Sequence, residues 1–204
     1  MDLAYFGAKV IHSKMIEPAM ASDIPVWVKN TFNPSCKGTL IVRKQKKVDS
    51  VIKAVAVAKN IVIISVQGVG LMDAPNIAGR IFHALGEKGI NIPMISGSSE
   101  SNLSFVIAKN NLAEAMELLR AELGDGIVKG INVLEQVCIV TVVGAGMAGS
   151  KGTAAKLFQT VTDARANIIM IAQGSSEVSI AFVVGEEDAK NVVSVLHKTF
   201  IEAV

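Results

Sequence analysis

The chain has 204 residues, of which half are hydrophobic and 19% are charged, so its composition is that of a folded protein with a substantial core. Its net charge of +2 and aromatic content of 4% argue against a nucleic-acid-binding groove, which needs a stripe of cations and stacking rings. Cys36 and Cys138 are too few for a disulfide framework, and no apolar run approaches the length of a membrane span, so we expect a cytoplasmic protein without a membrane partner.

The predicted elements begin with two β-branched apolar runs, from Val51 to Ala58 and from Ile61 to Gln67, which are typical of buried strands. An amphipathic helix around residues 77–85 follows. Two short strands come next, and the gap between them is so short that they must form an antiparallel hairpin. The remaining predicted elements of this first set are the hairpin strands Ile90 to Ser96 and Leu103 to Ala108, the helix Leu112 to Leu123 and the strand Ile127 to Leu134.

The same pattern then repeats at a constant spacing, so that Asn91 falls on Asn167. One inserted residue, Gln173, shifts the alignment before the second Gly-Ser-Ser-Glu segment. A repeat of this length is a whole small domain rather than a solenoid unit. The second set is predicted as the strand Val137 to Val143, a helix around residues 154–161, the hairpin strands Asn167 to Ala172 and Val178 to Val184, and the helix Ala189 to Phe200.

Each repeat therefore predicts the order β-α-β-β-α, which needs one more strand to complete a ferredoxin-like sandwich. The strand Ile127 to Leu134 completes the first repeat. The second repeat has no strand after its last helix, so we expect Val51 to Ala58 to fold back and complete it. The predicted fold class is α+β, with two intertwined ferredoxin-like βαββαβ units.

The segment Gly144-Ala145-Gly146-Met147-Ala148-Gly149 matches the G-x-G-x-x-G pattern between a predicted strand and a predicted helix, where a dinucleotide-binding turn would lie. The next predicted strand leads into a hairpin instead of a second crossover helix, and no acidic residue ends it at the spacing expected for ribose recognition. NAD binding through this loop is therefore the less favoured alternative to a tight turn in a small ligand-binding module. Backbone N–H groups at such a turn can hold a carboxylate.

Residues that could support catalysis or hold a metal are scattered. None of His12, His83 and His197 has a histidine or cysteine neighbour at ligand spacing, and no serine has a histidine and an acid arranged for nucleophilic catalysis. We predict neither a metal site nor a catalytic site in this chain.

Each of three acidic residues at predicted turns fits two interpretations, one structural and one functional. Asp73, just before Pro75 at a predicted helix start, fits an ordinary N-cap as well as a ligand-binding role. Glu100 and Glu177, at the hairpin tips, fit solvated turn residues as well as ligand or interface residues.

Several motifs together carry a family resemblance. They are Tyr5-Phe6-Gly7-Ala8-Lys9-Val10-Ile11-His12, Ile16-Glu17-Pro18-Ala19, Ile24-Pro25-Val26, Asn30-Thr31-Phe32-Asn33-Pro34, Gly38-Thr39-Leu40-Ile41 and the hairpin segment Ile171-Ala172-Gln173-Gly174-Ser175-Ser176-Glu177. The two repeats resemble a tandem pair of ACT domains, which are small amino-acid-sensing modules, and the residues before them resemble the end of the catalytic domain of aspartate kinase. Ser13 and Gln173 depart from the family pattern, and the family's lysine-bearing glycine-rich phosphate loop is absent.

The resemblance implies a division of the chain into four parts. These are a C-terminal stub of the kinase catalytic domain at residues 1–47, a strand at 48–58 that completes the second ACT domain, the first ACT domain at 59–135 and the second at 136–204.

The resemblance also implies a function. The intact parent would phosphorylate L-aspartate with MgATP, whereas this chain alone would need no cofactor and would be inactive as a kinase. The ACT pair would bind an end-product amino acid, L-threonine rather than L-lysine, and inhibit the parent by feedback. The implied partners are a second copy, through the ACT domains, and the rest of the kinase domain. A ligand-free dimerisation module remains the main alternative, and fusion of the parent to homoserine dehydrogenase stays open.

The resemblance implies an effector site at the loop between the first strand and helix of each repeat. In the first repeat, loop amides would hold the effector carboxylate and Asp73 its ammonium group, and Gln173 would suit a side-chain hydroxyl. The second loop has Gly149 in place of Asp73 and Lys151 in place of Pro75, so we expect the first loop to bind more tightly. The expected effector-binding residues are Met72, Asp73, Ala74, Asn91, Ile92, Asn167, Ile168, Gln173 and Ser175.

Overall fold

The computed structural model describes residues 13–42, 51–68, 76–99, 102–127 and 129–202. An N-terminal segment contains helix α1 (Ser13–Ala21) and the antiparallel strands β1 (Val26–Val28) and β2 (Thr39–Ile41). The elements of the repeats follow in chain order: β3 (Ala54–Gln67), α2 (Ile77–Glu87), β4 (Met94–Ser99), β5 (Asn102–Ala108), α3 (Leu112–Ile127), β6 (Gly130–Val143), α4 (Thr153–Asp163), β7 (Met170–Gln173), β8 (Ser179–Gly185) and α5 (Glu186–His197).

The strands of the two repeats form one antiparallel six-stranded sheet in the order β4-β5-β3-β6-β8-β7. Strands β3 and β6 run side by side at its centre, with Ala54 opposite Val143 and Gln67 opposite Gly130. The first half of β3 therefore pairs with the part of β6 that belongs to the second repeat. The expected α+β fold with two intertwined ferredoxin-like units is confirmed.

The two central strands are longer than the sequence predicts. The sequence predicts Val51 to Ala58 and Ile61 to Gln67 as separate strands, but β3 runs without interruption from Ala54 to Gln67 and Val51 to Lys53 precede it. Strand β6 likewise joins two predicted strands. The polar residues between the predicted strands form bulges instead of ending them. Asn60 and Gln136 occupy equivalent positions in the two repeats, and each has a φ of 57° at this irregularity in the pairing.

Several predicted boundaries need correction. Ile127 is the last residue of α3, so the strand that completes the first repeat begins only at Gly130. The first hairpin strand begins at Met94 rather than at Ile90, because the Ile90 amide still closes the end of α2 by donating to Leu85 O. The second hairpin strand correspondingly begins at Met170, and the last helix begins at Glu186 rather than at Ala189. Its α-helical part α5 ends at His197, and Lys198–Glu202 continue it as a π-helical turn.

Apolar side chains point alternately to the two faces of the sheet and form three clusters. Val62, Ile64 and Val66 of β3 pack against α2 and α3, which forms the core of the first repeat. The second repeat has an equivalent core under α4 and α5, and a T-shaped pair of phenylalanines occurs in both cores. The third cluster lies on the opposite face of the sheet and joins the two repeats; its members include Ile61, Ile63, Met94, Val106, Val137, Ile139, Met170, Ala181 and Val183.

One buried hydroxyl in the sheet lacks a partner. Thr141 on β6 is fully buried, and its Oγ1 has no hydrogen-bond partner among the described residues. The equivalent position in the first repeat is Ser65, whose Oγ lies 2.8 Å from Ser104 Oγ. The second repeat has Ala181 where the first has Ser104, so the partner hydroxyl is missing.

We therefore expect Thr141→Val to raise the free energy of unfolding by about 1 kcal/mol, because the nearly isosteric valine removes an unpaired buried hydroxyl. Urea denaturation at 25 °C measures the change. The control is Thr160→Val, which removes the hydrogen bond of 2.8 Å that Thr160 Oγ1 donates to Lys156 O and should not stabilise the protein. Equal changes in the two variants would contradict this account.

Candidate functional site

Main-chain hydrogen bonds hold the turn between β6 and α4 in the second repeat. Gly144 N donates to Val178 O at 2.9 Å, and Met147 N donates to Gly144 O at 3.0 Å. Gly149 and Gly152 then take left-handed φ values of 70° and 83°, which glycine adopts without the steric cost of a side chain. Gly152 is the N-cap of α4 and has no side chain that could accept from the first helical N–H groups. The turn therefore presents backbone N–H groups at the start of this helix.

A cavity of about 270 Å³ lies against this turn. The loop contributes Met147 and residues 149–151, the first residues of α4 form a second wall, and the hairpin of β7 and β8 forms the third. The hairpin residues that line the cavity are Gln173, Glu177 and Ile180.

The polar lining contains a cation, an anion and neutral groups. Glu177 Oε2 accepts a hydrogen bond from Gly149 N at 2.7 Å, and Thr153 Oγ1 donates to Ser150 Oγ at 2.9 Å. Lys151 and the Gln173 amide complete the polar lining. The carboxylate of a small amino acid would find the Lys151 ammonium group and the loop amides here, and the Gln173 amide would serve a polar side chain.

Among the residues that the structure describes, no group of three histidine, cysteine or acidic side chains could hold a metal ion. Burial raises the pKa of the Cys138 thiol, which lies in the core of the second repeat, so this thiol is a poor nucleophile. No helix in the described part of the chain is both long enough and apolar enough to span a bilayer.

A second cavity of about 270 Å³ lies on the opposite face of the sheet. Its polar lining consists of Ser65, Ser96, Asn102 and Ser104. These groups are neutral, so an amino acid bound there would leave both of its charges without a partner. The cavity at the second-repeat turn is therefore the better candidate for a zwitterionic ligand.

The residues expected to form the first-repeat site are only partly described. Met72, Asp73 and Ala74 lie outside the described residues. Asn91 is exposed and Ile92 is half-buried against the core of the first repeat, and both precede β4.

In the second repeat, Asn167 is exposed and Ile168 packs against that repeat's own core, and both precede β7. Ser175 lies in the exposed turn after β7 and is not part of the lining of the turn cavity. Of the expected residues that the structure describes, Gln173 is the one that lines this cavity.

Sequence reasoning undervalued the second-repeat loop. In the sequence, Gly149 and Lys151 stand out only as differences from the first loop, and Glu177 fits a solvated turn residue as well as a ligand or interface residue. The Gly149–Glu177 hydrogen bond returns a carboxylate to the position where Asp73 was lost, and it joins residues 28 positions apart. No local pattern could have shown this contact.

Comparison with known proteins identifies relatives of the whole chain. Residues 64–123 and 140–200 each match the ACT domain family. The chain is 36% identical over 203 residues to a bifunctional aspartokinase/homoserine dehydrogenase of Haemophilus influenzae, covering 97% of this chain and 25% of that protein. A chloroplastic bifunctional aspartokinase/homoserine dehydrogenase 1 of Arabidopsis thaliana is 35% identical, with 98% and 23% covered. The chain thus spans about a quarter of the length of these curated relatives.

Two solved structures are similar. The crystal structure of Clostridium acetobutylicum aspartate kinase has a TM-score of 0.89 and 30% identity, with 98% of this chain and 46% of that chain covered. The regulatory subunit of aspartate kinase from Thermus thermophilus, in a ligand-free form, has a TM-score of 0.65 and 31% identity over 74% of this chain and 99% of that chain.

Proposed function

Because this chain belongs to the ACT domain family and forms a regulatory region of the aspartate kinase type, we propose that it binds an end-product amino acid and thereby controls the phosphorylation of L-aspartate by a longer protein. The effector we propose is L-threonine, with L-lysine as the weaker candidate. The observation that carries the proposal is the cavity at the second-repeat turn, where Lys151 and the loop offer partners for the carboxylate of a free amino acid and Gln173 offers an amide for its side chain.

The lining favours a short hydroxylated side chain. Lys151 can pair with the effector carboxylate, and the amide of Gln173 can both donate to and accept from a hydroxyl. A lysine effector would bring a second ammonium group toward the Lys151 ammonium, whereas threonine adds a neutral hydroxyl that the Gln173 amide can pair with. Threonine therefore leaves fewer groups without a partner.

The first test is calorimetric titration of the 204-residue chain with L-threonine, L-lysine and L-methionine. We expect threonine to bind most tightly, and Gln173→Ala to weaken its binding about tenfold by removing the hydrogen bonds to its hydroxyl. Gln159→Ala is the matched control, because the Gln159 amide donates to Asp163 on the exposed side of α4. No heat from any of the three amino acids at millimolar concentration would contradict the proposal.

The first-repeat loop remains a second proposed pocket, formed by Met72, Asp73 and Ala74 with strand-entry residues near Asn91 and Asn167. Asp73→Ala distinguishes the two pockets, because a loss of half the binding stoichiometry would show that both loops take an effector. An unchanged titration would leave the second-repeat cavity as the effector site.

The sheet edges support a second function, association with another copy of the chain. Strands β4 and β7 are the edges of the six-stranded sheet, and equivalent isoleucines on them, Ile95 and Ile171, are each 45% exposed. Unpaired edges are protected in stable proteins by pairing or covering. We propose a homodimer through these edges, and we expect Ile95→Lys combined with Ile171→Lys to produce monomers in sedimentation velocity. A dimer that survives both substitutions would place the contact elsewhere.

The dimer and the effector can be separated experimentally. A ligand-free dimerisation module would sediment as a dimer and give no heat with any amino acid. A regulatory module would give heat with threonine whether or not the edge substitutions are present.

The N-terminal segment supports docking to the rest of a kinase domain. Trp27, Phe32 and Leu40 are exposed apolar residues on or between the short strands β1 and β2. We propose that the catalytic part of the longer protein covers them and that MgATP binds to that part. Trp27 is the only tryptophan of the chain, so a blue shift of its emission on adding the catalytic part would report docking directly.

A further inference from the structure

The carboxylate of Glu177 holds one of the backbone donors of the proposed effector pocket. Glu177 Oε2 accepts from Gly149 N at 2.7 Å, within the range of a charge-assisted hydrogen bond. We propose that this carboxylate occupies the position that the effector's own carboxylate takes, so that the effector binds by displacing it. This inference rests on the proposed function and adds a competitor built into the same site.

The hairpin places Glu177 beside the loop by backbone geometry. Val143 lies opposite Ser179 where β6 pairs with β8, and Gly144 N donates to Val178 O at 2.9 Å. Glu177 itself has a φ of 54° in a turn in which its N–H donates to Gly174 O at 3.0 Å. The side chain therefore starts next to the loop, and its carboxylate acts at a high effective concentration.

A free amino acid and the Glu177 side chain present the same chemical group to the loop. A single N–H donor makes one strong hydrogen bond to one carboxylate at a time, so the two compete. The apparent affinity of a ligand falls by the fraction of molecules whose site is open. Glu177 is exposed, so its displaced carboxylate can return to solvent without loss of hydration.

The opposite role for Glu177 predicts the opposite result. If Glu177 held the effector's ammonium group, its removal would weaken binding. If Glu177 only stabilised the turn, its removal would leave the binding of threonine and of a bare carboxylate unchanged or weaker. The competitor role predicts tighter binding of both.

The experiment uses the 204-residue chain labelled with 15N-glycine, so that the Gly149 amide reports on this pocket alone. Wild type, Glu177→Gln and Glu177→Ala are titrated separately with L-threonine and with acetate, which is a carboxylate without an ammonium group. Glu187→Gln is the control for charge, because Glu187 is an exposed acid beyond the opposite end of β8.

We expect Glu177→Ala to bind threonine about fivefold more tightly than wild type, with Glu177→Gln between them and Glu187→Gln unchanged. Acetate should shift the Gly149 signal of Glu177→Ala at concentrations that leave wild type unchanged. The Gly149 amide shifts of wild type and Glu177→Ala should differ without ligand and become equal at threonine saturation, because the same carboxylate then accepts from this amide.

Equal or weaker threonine binding by Glu177→Ala would overturn the inference while leaving the proposed function intact. The proposed function would fail separately if no variant responded to threonine, lysine or methionine. In that case the acetate titrations would still decide whether Glu177 competes for the Gly149 amide.

Discussion

Gly144→Ala should lower the free energy of unfolding by about 3 kcal/mol or more, because the new methyl group would overlap main-chain atoms that cannot move independently. A Cβ on Gly144 would overlap Val51 O and lie 2.8 Å from Ile52 Cα. The backbone entering β3 would have to shift away from β6, and the hydrogen bond of 2.8 Å from Lys53 N to Val143 O would be lost with it. Thermal and urea denaturation of the variant measure the effect.

The matched control is Gly79→Ala on the exposed face of α2. A Cβ there meets nothing within 4 Å. Alanine has the higher helix propensity, so this substitution should stabilise the protein by about 0.5–1 kcal/mol. Similar stabilities for the two variants would show that the strand entry does not pack against Gly144 as described.

The same contact explains why the glycine-rich segment is not evidence for a dinucleotide site. Gly144 is the first glycine of the G-x-G-x-x-G match, and its lack of a side chain accommodates the chain at Val51 and Ile52. Residues Ala145–Met147 then form a short 3-10 turn, and Gly149 donates its N–H to Glu177. Gly144 and Gly149 thus have roles in packing and turn formation, so the pattern by itself does not favour NAD binding over a tight turn.

The fold was largely predictable because the repeat and the apolar periodicity are local signals. The unexpected feature is the continuity of β3 and β6. Lys59-Asn60 and Glu135-Gln136 are polar pairs between apolar runs, and such pairs normally indicate a turn. Each central strand continues through one left-handed residue, Asn60 in β3 and Gln136 in β6, because it stays paired with its neighbouring strands. Those neighbours are distant in sequence.

The candidate site was less predictable because it depends on side chains from two distant segments. Gln173 stood out as an insertion, and the structure places it in the cavity. The sequence shows only that the second loop has the uncharged Gly149 where the first loop has the acidic Asp73. A carboxylate supplied from the hairpin depends on the register of β6 with β8, which no single segment encodes.

Ile52→Ala should destabilise the second repeat by about 3–4 kcal/mol, although Ile52 precedes both repeats in the sequence. Its side chain is 1% exposed and belongs to the core formed with Leu157 and Phe182. Ile81→Ala is the matched variant, because Ile81 is equally buried but lies in the core of the first repeat. Hydrogen exchange should show lost protection in α4 and α5 for Ile52→Ala, and in α2 and α3 for Ile81→Ala.

The position of Ile52 next to the cavity loop has a consequence for regulation. The chain leaves the N-terminal segment, passes Gly144 at Val51 and Ile52, and pairs Lys53 with Val143, the last residue of β6 before the cavity loop. A shift of this loop on effector binding would therefore act directly on the chain that leads from the N-terminal segment, and a coupling of about 1–3 kcal/mol is typical of such regulation. We expect Ile52→Ala to weaken threonine binding more than Ile81→Ala does. Equal losses in the two variants, or the same exchange pattern, would show that the strand entry does not connect the N-terminal segment to the effector pocket.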